Sequence, residues 1–186
     1  RLRPAAMSDK VVAHIDITPT ILDACGLDDR NTWSRFDGRS FLPLLDGRNS
    51  LWPDRTVVIQ THRGNFPVRY HHFAARNQRW KLLHASGFGK ETFEGDPKFE
   101  LYDMVLDPFE EHDLARSFPH VVKSMKSDYD SWFDDVSSTR PNNYDPPRII
   151  LGSPHQNPSV LTRQDWRHQS GRPWGADSNG EWWTTF

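Results

Sequence analysis

Histidines, arginines and paired aspartates are the side chains here with chemistry to offer, and their spacing decides what they can do. Nine histidines would allow metal binding or proton transfer. None falls in the His-Glu-x-x-His spacing that turns two imidazoles toward one zinc ion. His14, His112, His120, His155 and His168 stand isolated. His71 and His72, if they lie in a strand, point to opposite faces. Each reads as a surface or hydrogen-bonded histidine. Thr61-His62-Arg63-Gly64 is a better candidate because it directly follows a β-branched run. Loops that leave strands often carry function. An imidazole beside a guanidinium fork offers one neutral donor or acceptor and one fixed charge suited to carboxylate or sulfate oxygens. Gly64 lets the backbone turn sharply there.

Other clusters are weaker. Arg69, Arg76, Arg79 and Lys81, with Tyr70, Phe73 and Trp80 among them, resemble the basic and aromatic surface of an RNA-binding sheet. Strand alternation would divide them between two faces. The carboxylate pairs Asp28-Asp29 and Asp134-Asp135 lack the supporting set that a cation needs. Gly-x-Ser-x-Gly is missing, so serine, histidine and aspartate have no nucleophile elbow. Gly87-Phe88-Gly89-Lys90 lacks the spacing of a phosphate loop and reads as a turn.

The elements that must position these residues are legible. Around Ile17 to Cys25, Thr18 can cap, Pro19 fits the first turn and Gly26 can end a short helix. Ile21, Leu22 and Cys25 form its expected buried side, after an extended run from Val11 to Ile15. Cys25 reads as a small core hydrophobe. Phe41-Leu42-Pro43-Leu44-Leu45 reads as one helical turn. Strands are expected at Arg55–Thr61, Tyr70–Arg76, Trp80–His84 and Glu100–Asp103, the middle two forming a hairpin across Asn77-Gln78-Arg79. From Ser117 to Val136, the residues Val122, Met125, Tyr129, Trp132 and Val136 recur at helical spacing, and Asp128, Asp130, Asp134 and Asp135 are expected in solvent.

Composition sets the outer bounds. With 23 basic and 25 acidic side chains the net charge is -2, which gives no global field for a phosphate backbone or an anionic bilayer. One cysteine excludes an internal disulfide and a thiolate zinc cluster. No apolar run reaches the length of a membrane-spanning helix, and no signal peptide stands at Arg1-Leu2-Arg3-Pro4. Residues 137–186 hold Trp166, Trp174, Trp182 and Trp183 but few aliphatic residues. A wrapping tail is expected, since tryptophans are costly to leave in water. Its final segment, Glu181 to Phe186, reads as a strand that completes a sheet elsewhere.

Four segments in order resemble sulfatases. His14-Ile15-Asp16-Ile17-Thr18-Pro19-Thr20-Ile21-Leu22-Asp23-Ala24-Cys25-Gly26 is similar to that family's Asp-x-x-Pro-Thr-Ile/Leu-Leu-x-x-x-Gly. Asp37-Gly38-Arg39-Ser40-Phe41-Leu42-Pro43-Leu44-Leu45-Asp46-Gly47 resembles its Asp-Gly-x-Ser-Leu-x-Pro-Leu-Leu-x-Gly segment. Arg79-Trp80-Lys81-Leu82-Leu83 is like its Arg-x-x-Lys-Leu strand. The run from Glu100 to Ala115 resembles Glu-Leu-Tyr-Asp-Leu-x-x-Asp-Pro-x-Glu-x-x-Asn-Leu-Ala, with Asp113 where asparagine is usual.

The resemblance implies the C-terminal portion of an arylsulfatase-like enzyme of the alkaline phosphatase superfamily. The expected fold is α+β, a small four-stranded antiparallel sheet packed against an amphipathic helix and followed by a Trp/Pro-rich extension. The expected divisions are a remnant of the larger domain at 1–47, the C-terminal subdomain at 48–136 and the tail at 137–186. The family's nucleophile motif, Cys or Ser followed by x-Pro-x-Arg, is absent, since Cys25 precedes Gly26-Leu27. Formylglycine and calcium are therefore expected on an N-terminal catalytic domain, with no catalytic residue, metal ligand or cofactor in this chain. The resemblance implies a sulfated carbohydrate as substrate, with contacts from His62, Arg63 and Arg69. It also implies a periplasmic or secreted enzyme, with nucleic acid and membrane not expected as partners, and no turnover by this portion alone. A noncatalytic carbohydrate-binding module, stacking tryptophans on sugar faces, is the alternative; another branch of the superfamily fits the linked Pro-Thr and Asp-Pro segments less well.

Overall fold

A computed structural model describes residues 8–27, 36–48, 52–62, 66–87, 89–145, 148–162, 165–168 and 180–185. The fold is α+β. A four-stranded antiparallel sheet, in the order β1-β2-β3-β4, packs against helices. Its strands are β1 (Val57–Gln60), β2 (Phe73–Arg76), β3 (Trp80–His84) and β4 (Glu100–Asp103). The helices are α1 (Ile17–Ala24), α2 (Leu42–Leu45) and α3 (Pro119–Ser137). The chain divides into two compact units: Arg1–Ile59, Ala74–Leu83 and Phe99–Asp130 in the first, Gln60–Phe73, His84–Lys98 and Ser131–Phe186 in the second.

In the first unit, Leu82 of β3 faces Leu101 of β4 across the ladder, and both are wholly buried. Each such leucine contributes roughly 1.5–3 kcal/mol relative to exposure. Met125 and Tyr129 are buried on α3 as the helical spacing predicts. Phe118, just before that helix, lies 5.1 Å from the Trp80 ring, and Thr56 donates to Asp128 at 2.5 Å. Pro119 opens α3, where its missing N–H costs nothing.

The first two sulfatase-like segments meet at one carboxylate. Asp16 is wholly buried; its Oδ1 accepts from the Arg39 N–H at 2.8 Å and its Oδ2 from the Ala13 N–H at 2.7 Å. Arg55 completes the set through an ion pair with Oδ2. The Thr20 hydroxyl donates to the Asp16 carbonyl at 2.6 Å and accepts from the Phe41 N–H at 3.0 Å, while Ser40 donates to Asp23. Gly38 belongs here because a Cβ would stand 2.0 Å from the Ile15 carbonyl oxygen.

Three aspartates shape the chain after β4. Asp103, almost wholly buried, takes the Val105 and Leu106 N–H groups and the Arg79 guanidinium. Asp107 takes the Glu111 and His112 N–H groups. Asp113 uses one oxygen, Oδ1, for the Leu101 and Ala115 N–H groups. An asparagine carbonyl would serve there equally well, which accounts for the departure from the family pattern.

Several sequence expectations are corrected. The extended run expected from Val11 to Ile15 is cut short after Ala13, whose backbone is extended at φ -133° and ψ 164°: a 3-10 turn at His14–Asp16 leads straight into α1, with Asp16 taking the Ala13 N–H. Cys25 is exposed rather than a core residue. Gly26, at φ 68°, ends α1 as expected, with Leu27 N–H on the Leu22 carbonyl, but Ile21 is 58% exposed because polar Asp16 and Thr20 occupy the interior. The second strand starts at Phe73, not Tyr70, since residues 69–72 form a turn. In the second unit, the run from Glu181 to Phe186 is split. Gly180–Glu181 pairs antiparallel with Arg167–His168, and Thr184–Thr185 pairs parallel with Ile149–Ile150. Trp166 is buried there, but Trp182 and Trp183 keep 46% and 39% of their surface exposed. Trp174 lies outside the described residues.

Candidate functional site

The loop that leaves β1 belongs to the second unit and is bounded by Thr61 and Arg69. His62 is exposed; Arg63 and Gly64 lie outside the described residues. Arg69 is drawn to α3, where it forms an ion pair with Asp134 and lies over the Phe133 ring at 4.5 Å. Asp134 is thus an ion-pair partner, yet it and its neighbour Asp135 are both exposed as expected.

Beyond Arg69 the backbone enters a turn that the sequence does not announce. Tyr70 and His72 both have left-handed backbones, at φ 62° and 47°. Each bulky residue costs about 1–3 kcal/mol in that conformation, so the surroundings must hold it. They do so with side chains. Gln60 Nε2 donates to the Val68 carbonyl at 2.9 Å and to the His71 carbonyl at 3.0 Å. The His72 N–H donates to Ser86 Oγ at 2.8 Å, and the His72 carbonyl accepts from the Thr61 N–H at 3.2 Å. His84 Nδ1 meets the Tyr70 carbonyl at 2.9 Å, which fixes the proton on that nitrogen.

His71 sits at the centre, 1% exposed. Its Nε2 faces the Lys90 carbonyl at 2.9 Å, and a carbonyl only accepts, so Nε2 carries the proton. Nδ1 then accepts from the Ser86 hydroxyl at 2.6 Å. The Phe93 ring stacks on His71 at 5.9 Å and meets His84 edge-on at 4.7 Å. His84 and Ser86 also line an open pocket of about 530 Å³ whose rim carries Lys90, Thr92, Glu94 and Lys98. The assumption that residues 70–72 continue a strand hides this cluster in the sequence. No spacing rule joins His71 to Ser86, and the polar character of His84-Ala85-Ser86 is the only signal.

The basic residues of the hairpin are engaged in the first unit. Arg79 pairs with Asp103 and Lys81 with Glu110. Asp103 is pushed upward by burial, yet the Arg79 hydrogen bond, the Val105 and Leu106 N–H groups and the Arg79 charge outweigh this and hold it below the usual carboxylate range.

His112, isolated in sequence, lies near Asp107 and Glu111, with potential metal-binding atoms all within 4.8 Å of one another. The set does not fit calcium. Imidazole is a poor ligand for that hard cation, and both Asp107 oxygens already accept backbone N–H groups, at 3.1 and 2.9 Å. Cys25, exposed at the end of α1, likewise lacks the residues that would mark it for conversion to formylglycine.

This architecture, with the two aspartate-linked segments feeding the sheet, is that of a sulfatase C-terminal domain. Residues 1–132 match the family described as N-sulphoglucosamine sulphohydrolase, C-terminal, and the chain belongs to that family. An ulvan-active sulfatase of Formosa agariphila is 26% identical over 158 residues, covering 70% of this chain and 30% of that protein. The N-acetylglucosamine-6-sulfatase of Bos taurus is 27% identical over 152 residues, covering 67% and 26%. Among solved structures, a putative sulfatase from Bacteroides thetaiotaomicron is similar at 24% identity and a TM-score of 0.48, covering 71% of this chain and 28% of that one. The chain thus spans less than a third of the length of these relatives.

Proposed function

We propose that this chain is the substrate-facing, noncatalytic part of an enzyme that hydrolyses sulfate esters on carbohydrate, working with an N-terminal catalytic domain that supplies formylglycine and calcium. The observation that carries the reading is the family match over residues 1–132, to a family described by a hydrolase of an N-sulphated sugar. The printed activities of the ulvan-active and N-acetylglucosamine-6-sulfatase relatives support a carbohydrate substrate. The enzyme acts in the periplasm or outside the cell, where sulfated polysaccharide is met.

His62, Arg63 and Arg69 contact the substrate in this reading. A sulfated sugar needs hydroxyl partners and fixed positive charge, and an exposed imidazole with two guanidinium groups supplies both. Arg69 retains 35% side-chain exposure while paired with Asp134, so the ion pair aims it and leaves a surface for an anion.

The test is made in the intact enzyme. His62→Ala and Arg63→Ala should raise KM for a glucosamine-6-sulfate substrate with a smaller effect on kcat, because positioning contacts are lost while the nucleophile remains. Unchanged constants for both would remove the loop from the cleft. The chain by itself should release no sulfate from 4-nitrophenyl sulfate in the presence of calcium.

The exposed neighbours Trp182 and Trp183 favour a second reading, a carbohydrate-binding module whose indoles stack on sugars. Saturable glycan binding that is lost in Trp182→Ala and Trp183→Ala, with sulfatase kinetics unaltered by changes at residues 62 and 63, would favour it.

A further inference from the structure

His71 and Ser86 serve neither reading so far, yet they hold the turn that contains the left-handed backbones of Tyr70 and His72. The loop carrying His62 and Arg69 begins at Thr61, whose N–H is fixed on the His72 carbonyl at 3.2 Å. It ends at Arg69, one residue before the left-handed Tyr70. Both ends are therefore tied to the same three residues, 70–72. Those residues have no regular ladder to stabilise them. What holds them is the Ser86 hydroxyl on the His72 N–H, the His84 ring on the Tyr70 carbonyl, the Gln60 amide on the His71 carbonyl, and the His71 ring clamped between Ser86 and the Lys90 carbonyl.

We propose that His71 and Ser86 are positioning residues: through the strained turn at Tyr70–His72 they set where His62 and Arg69 stand, and so which sulfated sugar is selected. This inference rests on the reading that the loop faces the substrate. Ser86 is the pivot, because its single oxygen accepts from the turn's backbone while its proton satisfies His71 Nδ1. Removing it takes the acceptor from the N–H of an aromatic residue at φ 47°, and the weakened turn shifts toward negative φ, the ordinary conformation of a residue that large. Such a relaxation displaces Thr61 and Arg69 together and removes no group that belongs to the nucleophile.

The experiment compares Ser86→Ala and His62→Ala in the intact enzyme, each on glucosamine-6-sulfate and on 4-nitrophenyl sulfate, whose aryl group has no sugar hydroxyls to select. Ser86→Ala should raise KM for the sugar by about tenfold with kcat nearly unchanged, and leave kcat/KM for the aryl sulfate within about twofold. Introducing His72→Gly into Ser86→Ala removes the left-handed penalty and should restore part of the lost sugar KM. Should Ser86→Ala yield no soluble enzyme, Gln60→Met removes another restraint on the turn, the amide bonds to the Val68 and His71 carbonyls, and must show the same selective rise. Equal losses on both substrates, or no loss on either, would overturn the positioning role. If His62→Ala raises the sugar KM and Ser86→Ala does not, only the positioning role falls; if neither His62→Ala nor Arg63→Ala has an effect, the substrate-facing loop itself is refuted.

Discussion

Asp16 and Arg55 form an ion pair in which the carboxylate is wholly buried and the guanidinium nearly so, with 12% of the arginine side chain exposed. Asp16 also receives the Ala13 and Arg39 N–H groups. Replacing it by alanine leaves a buried cation and two backbone donors unanswered. Asp16→Ala should cost about 3–5 kcal/mol, the range for breaking a buried pair from one side. Its urea midpoint, compared with that of wild type, reads the loss.

Gly38 is the steric half of the same junction. An added Cβ would lie 2.0 Å from the Ile15 oxygen and 2.4 Å from its carbonyl carbon, and neither can move without shifting the 3-10 turn that presents Asp16. Gly38→Ala should therefore destabilise the protein, and its effect should be less than additive with Asp16→Ala because both break one junction. Additive losses in the two single variants and the double variant would show that the glycine acts elsewhere.

These two residues also show what the sequence can reveal. Asp16, Pro19, Gly38 and Asp103 lie in the segments that resemble the family pattern, and in this chain the buried Asp16 and Asp103 carboxylates meet their partners within or beside those segments. The strands are legible for a comparable reason: Phe73 and Ala75 are buried in alternation on β2, as are Leu82 and His84 on β3. The turn at residues 69–72 is not legible, because Tyr70-His71-His72-Phe73 has the composition of a strand, and the local His71 N–H bond to the Val68 carbonyl is joined by bonds from Gln60, His84 and Ser86 that no sequence pattern announces. Ile21 fails for the opposite reason. The helix is right, but the side that is buried carries Asp16, Pro19 and Thr20, so Ile21, turned away from it, lies in solvent. The tail is hidden similarly, since two-residue strands carry no periodicity.

Acid should loosen the first unit through Asp103. Its carboxyl is held below the ordinary value in the folded state, so the group contributes stability above its unfolded pKa, about 4, and loses it as pH falls through the lower folded value. Unfolding midpoints measured between pH 7 and pH 3 should fall in wild type. Asp103→Asn should start lower at pH 7 and show a shallower decline, because the proton uptake of that carboxyl is gone. A decline equally steep in both would assign the acid sensitivity to other groups.

Asp107 gives the last prediction, because the same geometry admits a metal and argues against it. The ligand atoms of Asp107, Glu111 and His112 lie within 4.8 Å of one another. Asp107 is nevertheless held below the usual carboxylate range, first by the Glu111 N–H, against an opposing effect of burial, and then by the His112 N–H. A carboxylate engaged by two backbone donors is closing a turn, and a cation would have to compete with both. The imidazole of His112 remains 76% exposed, with its Nδ1 3.7 Å from Asp107 Oδ2. Zinc or calcium at millimolar concentration should leave the unfolding midpoint unchanged, as should Glu111→Ala and His112→Ala. Asp107→Ala should lower it without any metal present, because the turn after Pro108 then loses the acceptor that organises it. A metal-dependent rise in the midpoint that disappears in His112→Ala would assign the cluster to metal instead.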